Sequence, residues 1–518
     1  MKRRKFIQSS SLMTLPLMLK GMEVTAIAKS RLTSLVNGDN DRVLVLVQLN
    51  GGNDGLNTFI PLDQYTDLMK VRESIMIPEN QILKTSDKNG FHKSMEGFKQ
   101  MFDSGQMSVI QGVSYPNQNR SHFRSTDIWT SASDSEKYIS SGWLGRYFDL
   151  NYKGFPEDYP NEDFPDPFAI TLGFVVSDTC QGVSSNYSFT VNSEEDIKSL
   201  NETVPGEYSG LCMDNEVTFI KDVIRQTNAY SSRVLEAFNK GNNFAIYPED
   251  NGLANQLKVV ANLISGGLKT KIFVVSQGGY DTHANQVVGG DAINGTHAEL
   301  LGTLSSAISA FQKDLVALGI DNKVLGMTFS EFGRRIIAND SFGTDHGTAA
   351  PVFVFGSCVN SNIFGQNADI SSNVDSDEGV AMQYDFRSVY ASILMDWFKS
   401  PKEDIQKILF KDFQHIPFIK DCAISTETEE ILSFNATLYP NPASHYIQVN
   451  FLLPASEMTN IDIFDSRGFR VKEVLSRKID QGENELRIDI SDLYNGIFFI
   501  RVEAGNRQSS SKFVKMGF

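Results

Sequence analysis

The chain has 518 residues, 41% of them apolar, which is enough for a packed core and excludes a wholly disordered protein. Its formal net charge of −16 argues against binding to the nucleic-acid backbone, and no apolar run reaches the roughly 18 residues of a membrane span. The four cysteines are far apart and form no CxxC pair, which excludes a disulfide-dense scaffold and a thiolate zinc site.

The first 28 residues have the features of an export signal. The paired arginines Arg3 and Arg4 precede a weakly apolar stretch at 9–19, and residues 26–28 (AIA) are small at the spacing that signal peptidase reads. Residues 1–28 therefore resemble a twin-arginine signal peptide that is removed on export. The alternative is the basic, amphipathic start of a cytosolic protein.

Alternating strand and helix patterns predict an α/β domain over residues 40–420. Residues 42–49 form a continuous run of β-branched residues and leucine, typical of a parallel strand buried on both faces. This run ends in a glycine-rich turn, and the pattern recurs along the chain. Further strands are predicted at 107–113, 269–276, 323–329 and 352–355, and helices at 255–263 and 298–318. We therefore expect a central, mostly parallel sheet covered by helices.

The pattern changes from about residue 421. Residues 421–436 are predicted to be a polar linker, and residues 437–518 a small antiparallel β-sandwich, because short alternating strands are separated by turn residues. The strands are predicted at 446–451, 461–464, 485–490 and 497–502.

Three blocks in this tail carry a family resemblance: residues 438–443 (LYPNPA), 463–468 (IFDSRG) and 493–502 (LYNGIFFIRV). They resemble the C-terminal sorting domain of the type IX secretion system of Bacteroidota. The resemblance implies that the type IX secretion machinery carries the protein across the outer membrane, after which the tail is removed or anchors the protein at the cell surface. A generic adhesion-like β-sandwich is the alternative.

Acidic, histidine and serine side chains follow the predicted strands of the core. In open α/β sheets, ligands bind beyond the carboxyl ends of the strands, so these side chains are candidate site residues. Each has a structural alternative as a turn former, helix cap or surface pair, and Glu331 has the further alternative of pairing with Arg334 or Arg335. Together they favour a metal site, because imidazole and carboxylate ligands suit zinc, manganese or iron. The candidates are Asp54, Ser121, Asp281, His283, Glu331, Asp345 and His346, with His122 and His297 nearby in sequence.

The core also carries five motifs with a family resemblance: residues 49–57 (LNGGNDGLN), 120–123 (RSHF), 279–286 (GYDTHANQ), 330–334 (SEFGR) and 344–347 (TDHG). They resemble the family called domain of unknown function 1501, within the alkaline phosphatase-like superfamily. This resemblance implies an alkaline phosphatase-like core.

The superfamily analogy implies a role for each candidate. Asp54, Asp345 and His346 would hold one metal, and Ser121, at a helix start, would be the nucleophile. Asp281 and His283, with His297 as a further ligand, would hold a second metal. The spacing of two between Asp281 and His283 departs from the wider spacing of the superfamily. His122 is a further candidate catalytic residue, and Arg120 or Arg124 could clamp the oxyanion. The ion would be zinc or manganese, in one or two copies.

Such a site supports phosphoryl or sulfuryl transfer, so the sequence predicts a secreted or cell-surface hydrolase of phosphate or sulfate esters, acting on an anionic small molecule or glycan. Formylglycine-dependent sulfatases need Cys or Ser followed by x-Pro-x-Arg. Residues 114–118 (SYPNQ) lack the arginine, so we do not expect a sulfatase of this type. The alternative function is a surface protein that keeps the fold and binds glycans or matrix without turnover.

Overall fold

The computed structural model describes residues 41–199, 229–289, 291–370, 373–420, 422, 436–453, 456–466, 469–504 and 507–517. The predicted signal peptide (1–28) and most of the predicted linker (421–436) lie outside the described residues, so both assignments stay predictions.

A nine-stranded sheet is the centre of the described core. Strand β1 (Val43–Leu49) lies between β8 (Ile272–Gln277) and β9 (Val324–Phe329) and is parallel to both. Beyond β9 come β10 (Ala350–Phe355), β5 (Met107–Ser114) and β11 (Ile363–Phe364), with β12 (Tyr384–Asp385) also paired to β5. Beyond β8 come β6 (Ala169–Leu172) and β7 (Ser188–Val191).

Strand β10 runs antiparallel to both of its neighbours, β9 and β5, whereas the other described pairings in this sheet are parallel. The prediction of a mostly parallel sheet is confirmed. Because β10 is reversed, it begins at the edge of the sheet where β1, β8 and β9 end.

Helices cover both faces of the sheet. In β1, Val43, Val45 and Val47 belong to one buried hydrophobic cluster, and Leu44 and Leu46 belong to another. The predicted helices lie within α8 and α9. The described helices are α1 (Gly55–Thr58), α2 (Tyr65–Arg72), α3 (Glu96–Asp103), α4 (His122–Ser131), α5 (Trp143–Asn151), α6 (Glu194–Ser199), α7 (residues 229–240), α8 (Gly252–Ser265), α9 (Thr296–Leu318), α10 (Phe386–Ser392) and α11 (Lys402–Leu409), with a π-helical turn at Ile393–Trp397.

Two smaller features complete the strand inventory. A three-stranded sheet beside the core is formed by β2 (Phe59–Pro61), β3 (Leu83–Lys84) and β4 (Asn89–Phe91). The C-terminal part contains β13 (Ala436–Tyr439), β14 (Tyr446–Leu453), β15 (Glu457–Asp465), β16 (Arg470–Ile479), β17 (Gly482–Asp489), β18 (Gly496–Ala504) and β19 (Arg507–Lys515).

The C-terminal strands form the predicted all-β sandwich. One sheet has the order β13-β14-β17 and the other β16-β15-β18-β19, and the described pairings are antiparallel. Alternate residues such as Ile461, Ile463 and Ile500 are buried in a hydrophobic cluster of the sandwich's own. Phe499 also contacts Phe244 of the core, with ring centroids 5.2 Å apart.

A disulfide joins Cys358, just after β10, to Cys422 at the start of the predicted linker, across a sequence separation of 64 residues. The spacing of the cysteines in the sequence did not predict this disulfide. A single bridge does not make a disulfide-dense scaffold, so that exclusion still holds. In the chain-entropy account, closing a loop of this length stabilises the fold by about 4 kcal/mol. Disulfides persist in oxidising compartments, which agrees with an exported protein.

A buried polar group lies beneath the sheet edge, next to the glycine-rich turn after β1. Both carboxylate oxygens of Asp54 accept hydrogen bonds from Arg72, at 3.1 and 3.0 Å, and Oδ2 also accepts one from Gln286 at 2.6 Å. His297 Nε2 donates to Asn53 Oδ1 at 3.0 Å, and the ring of His92 is 6.4 Å from that of His297. Burial lowers the pKa of His297 to about 3 and that of His92 to about 4, because desolvation disfavours the charged imidazolium.

In the part of the chain that the structure describes, no helix has both the length and the apolar character needed to cross a membrane.

A chain of residues 29–425 is expected to fold without the sandwich, because the sandwich has a separate hydrophobic cluster. In scanning calorimetry, the core transition should shift by no more than about 2 °C, because loss of roughly 1 kcal/mol shifts the transition of a domain of about 400 residues by about 1–2 °C. A much larger drop would show that contacts such as Phe244–Phe499 support the core.

Acid should destabilise the core between about pH 6.5 and pH 4, because the unfolded chain protonates histidines that stay neutral when folded. A histidine whose pKa is lower in the folded than in the unfolded protein does not reduce stability above its unfolded pKa. Below that pH, protonation of the unfolded chain lowers the free energy of unfolding. Each buried histidine should contribute a loss of about 2 kcal/mol between pH 7.5 and 5. His297→Gln should flatten this slope in urea titrations, whereas His445→Gln, at an exposed position, should not. An unchanged slope in His297→Gln would contradict the assignment.

Candidate metal centre

Five loops meet at the edge of the sheet where β1, β8 and β9 end and β10 begins. Residues 50–54 follow β1, residues 278–283 follow β8, and residues 330–334 follow β9, while residues 344–347 precede β10. The start of α4 adds residues 120–122. The glycines permit close approach: at Gly51, whose φ is +123°, an added Cβ would lie 2.3 Å from the backbone nitrogen of Asp281.

Three imidazoles converge on one carboxylate at this edge. Asp281 Oδ1 lies 3.1 Å from His283 Nε2, 3.2 Å from His346 Nε2 and 3.5 Å from His122 Nε2. The Nε2 atoms of His283 and His346 are 2.9 Å apart. Ligand atoms of His122, Asp281 and His346 all lie within 4.8 Å of one another, a spacing that can hold a metal ion. The four side chains are 25–48% exposed, so the group is open to solvent.

The opposite nitrogen of each imidazole has a partner that only accepts hydrogen bonds. His122 Nδ1 is 2.7 Å from Glu331 Oε1, His283 Nδ1 is 2.8 Å from Asp345 Oδ1, and His346 Nδ1 is 2.9 Å from the carbonyl oxygen of Arg120. A neutral imidazole that donates from Nδ1 to such an acceptor has its lone pair at Nε2, toward the centre of the group, and this is the tautomer that a metal ion would require. Partners of this kind orient metal-binding histidines and fix their tautomer.

Arg334 holds the loops around this group. Its buried guanidinium donates to the carbonyl oxygens of Gly52 and Thr344, each at 2.7 Å, to that of Tyr280 at 2.9 Å, and to that of Gly51. It also donates to Asp281 Oδ1 at 2.7 Å.

Partial burial acts to raise the pKa of Asp281, but the hydrogen bonds from Arg334 and His346 outweigh it, and the pKa is lowered. Burial lowers the pKa of His346 despite its contact with Asp281.

The structure brings together four of the predicted site residues: His122, Asp281, His283 and His346. Asp345 lies behind His283, where Oδ1 accepts from the imidazole and Oδ2 lies 3.5 Å from Arg335 Nη1.

Asp54 and His297 are not brought into the group. Asp54 is fully buried, with both oxygens engaged by Arg72 and Gln286, and His297 is buried against Asn53. The expected trio of Asp54, Asp345 and His346 around one ion is therefore not assembled in this structure.

Ser121 and Arg120 flank the group. Ser121 is exposed and immediately precedes α4, whose first residue is His122, and among the described residues no side chain caps this helix start. Arg120 contacts His346 through its carbonyl oxygen, and its guanidinium donates to the carbonyl oxygen of Asp377 at 2.7 Å.

Glu331 and Arg334 are the residues whose roles the sequence did not predict. Glu331 pairs with His122 and accepts from the backbone nitrogen of Gly51 at 2.9 Å, rather than pairing with Arg334 or Arg335. The position of Glu331 directly after β9 could have indicated its place in the site, because carboxylates at the carboxyl ends of neighbouring parallel strands lie at the same edge of the sheet.

Comparison with protein families gives two matches. Residues 41–396 match the family described as protein of unknown function (DUF1501), and residues 437–516 match the secretion system C-terminal sorting domain. No protein with a curated description matches the chain.

Among solved structures, the chain is similar to dimeric latent PorU from Porphyromonas gingivalis, with 16% identity, a TM-score of 0.14, and coverage of 16% of this chain and 9% of PorU. A protein in the alkaline phosphatase superfamily from Vibrio parahaemolyticus is 9% identical, with a TM-score of 0.32 and coverage of 80% of this chain and 76% of that one. A Bacteroides thetaiotaomicron protein described with the metabolism of multiple glycosaminoglycans is 8% identical, with a TM-score of 0.35 and coverage of 87% and 90%.

The first family match extends over more than half of the chain and contains the whole imidazole and carboxylate group. The second coincides with the C-terminal β-sandwich. The protein belongs to the DUF1501 family and carries a secretion system C-terminal sorting domain after its α/β core.

Proposed function

We propose that this protein is an exported, metal-dependent hydrolase of phosphate or sulfate esters. The observation that carries the proposal is the arrangement of His122, His283 and His346 around Asp281. The Nε2 atom of each imidazole lies within 3.5 Å of Asp281 Oδ1, and each Nδ1 lies against an acceptor that orients the ring. In the tautomer that donates from Nδ1, the Nε2 lone pairs would repel one another and the carboxylate at these distances, and a bound cation would relieve that repulsion.

The ligand set favours a single ion. Three nitrogens and one oxygen suit zinc first and manganese second. A second ion would need Asp54, whose oxygens already bind the guanidinium of Arg72 and the amide of Gln286. The buried guanidinium therefore supplies the positive charge that a second metal would otherwise bring.

Ser121 is the proposed nucleophile because its two neighbours in the chain both contact the group: Arg120 through its carbonyl oxygen and His122 through its imidazole. The uncapped N–H groups at the start of α4 favour an anion beside Ser121. The proposed role of Arg120 is to hold an ester oxygen, which requires its guanidinium to leave the carbonyl oxygen of Asp377. When bound, a divalent cation supplies Lewis acidity and neutralises the negative charge of an anionic ester.

The C-terminal sorting domain supports delivery of this hydrolase to the cell surface or the extracellular space, with an anionic small molecule or glycan as substrate. The retained alternative is a non-catalytic surface protein that binds glycans or matrix, which the experiments below separate from the hydrolase.

Purified protein should bind about one zinc or manganese ion per chain, measured by elemental analysis and calorimetric titration. His346→Ala and Asp281→Ala should remove most of this metal, because each deletes a ligand. Asp345→Asn should weaken binding about tenfold, the usual effect of changing a group that orients a ligand. His415→Ala, which changes a histidine paired with Asp396 away from the group, is the matched control and should keep full binding.

Hydrolysis of nitrophenyl phosphate and nitrophenyl sulfate should depend on the bound metal. Ser121→Ala should abolish turnover and leave metal binding intact, because Ser121 is not one of the four ligands. If wild-type protein takes up no stoichiometric metal, the hydrolase proposal is wrong. Metal binding without turnover of any anionic ester in a broad panel would favour the surface-binding alternative.

Export should require both ends of the chain. Changing Arg3 and Arg4 to Lys should leave the precursor in the cytoplasm, and deleting residues 437–518 should leave the protein in the periplasm. Cell fractionation and surface proteolysis measure both outcomes. Unchanged surface delivery after the tail deletion would contradict the proposed route.

A further inference from the structure

A fully buried amide side chain connects two loops of the candidate metal centre. Gln286 Oε1 accepts hydrogen bonds from Thr344 Oγ1 at 2.8 Å and from Thr282 Oγ1 at 3.1 Å. Thr282 separates Asp281 from His283, and Thr344 lies two residues before His346. The two threonines also pair directly, because the backbone nitrogen of Thr344 donates to the carbonyl oxygen of Thr282 at 3.1 Å. One side chain thus links the segments that carry three of the four proposed ligands.

The orientation of this amide is set by Asp54. Asp54 Oδ2 accepts from Gln286 Nε2 at 2.6 Å, and Arg72 donates to both oxygens of the same carboxylate. A carboxylate paired with a guanidinium can only accept, so the NH2 group of Gln286 must face it. The amide oxygen is then left facing the two threonine hydroxyls, and both hydroxyls donate to it.

Asp54 is itself a fixed point of the core. Its carbonyl oxygen accepts from the backbone nitrogens of Asn57 and Thr58 at the start of α1, and the side chain is buried with Arg72. Although burial acts to raise its pKa, the charge of Arg72, the interaction with His297 and the hydrogen bonds from Gln286 and Arg72 together outweigh that effect, and the pKa of Asp54 is lowered. The chain of contacts from Arg72 through Asp54 and Gln286 to the threonines therefore runs from rigid core to the loops with no solvent-exposed link.

We propose that Gln286, oriented by Asp54, is a positioning residue that fixes the separation between the loop of Asp281 and His283 and the loop of His346. This inference rests on the proposed function, because the separation matters for a metal held jointly by the two loops. It gives Asp54 a role distinct from metal ligation. The loops would still close without Gln286, through Arg334 and the backbone contacts, but with a less defined spacing of the imidazoles.

The test uses cobalt(II) in the full chain, because the visible absorption of cobalt reports ligand geometry and its affinity is measured by chelator competition. Gln286→Leu removes both ends of the connection and should weaken cobalt and zinc binding about tenfold, with altered cobalt bands. Thr344→Val removes one hydroxyl at nearly constant volume and should give a smaller change in the same direction. Thr344→Ser retains the hydroxyl and should match wild type within twofold.

A double variant separates positioning from general destabilisation. If the two side chains act through their hydrogen bond, Thr344→Val added to Gln286→Leu should cost nothing further in affinity. Full additivity, or wild-type affinity and cobalt spectrum in both single variants, would overturn the inference. A lower melting temperature with an unchanged cobalt spectrum would also overturn it, because a merely structural role gives that result.

The outcomes also distinguish this inference from the proposed function. If wild type binds neither cobalt nor zinc, the proposed function fails and the inference falls with it. If wild type binds metal and the variants bind equally well, only the inference fails. Should Gln286→Leu not fold, the Thr344→Val and Thr344→Ser pair decides: a loss of affinity in the first that the second restores supports positioning, and equal binding in both refutes it.

Discussion

The edge of the sheet is held together by one buried cation, the guanidinium of Arg334. It donates to four backbone carbonyl oxygens from three different loops and to the carboxylate of Asp281. Removing such a group leaves several buried acceptors without donors, and each buried group left unsatisfied typically costs about 1–3 kcal/mol. The loops after β1 and β8 and before β10 have little regular structure of their own, so their mutual arrangement depends on this contact. The planar fork of arginine suits the task, because lysine could not reach acceptors on so many sides.

The reversal of a single strand gives the candidate site its composition. In an all-parallel sheet, residues that precede a strand lie at the opposite edge from residues that follow one. Asp345 and His346 precede β10, and they join Asp281 and His283 only because β10 runs antiparallel to β9 and β5. The loops after β1, β8 and β9, the start of α4 and the loop before β10 therefore lie at the same edge of the sheet.

The fold followed closely from the sequence because its signals are local. The continuous apolar run of β1 and the long periodic pattern of α9 identify themselves, and glycine-rich turns mark the strand ends. Asp281, His283 and His346 could be picked out by position alone, since each lies in such a turn. The sequence did not predict which side chains would pair with one another. Asp54 binds Arg72, eighteen residues along the chain in α2, and Glu331 binds His122 rather than a nearby arginine. Those choices depend on tertiary packing, as does the pairing of Cys358 with Cys422.

That covalent link has a mechanical consequence for a protein that carries its sorting domain at the C-terminal end. Cys422 lies at the start of the predicted linker, and its partner lies just after β10 in the central sheet. Tension applied through the tail therefore passes from Cys422 into the sheet and bypasses the 63 residues between the two cysteines, which include α10 and α11. These helices cannot be peeled from the core one after another from the C-terminal side. The load is instead borne by β10, the strand whose reversed direction brings His346 to the other side chains of the candidate metal centre.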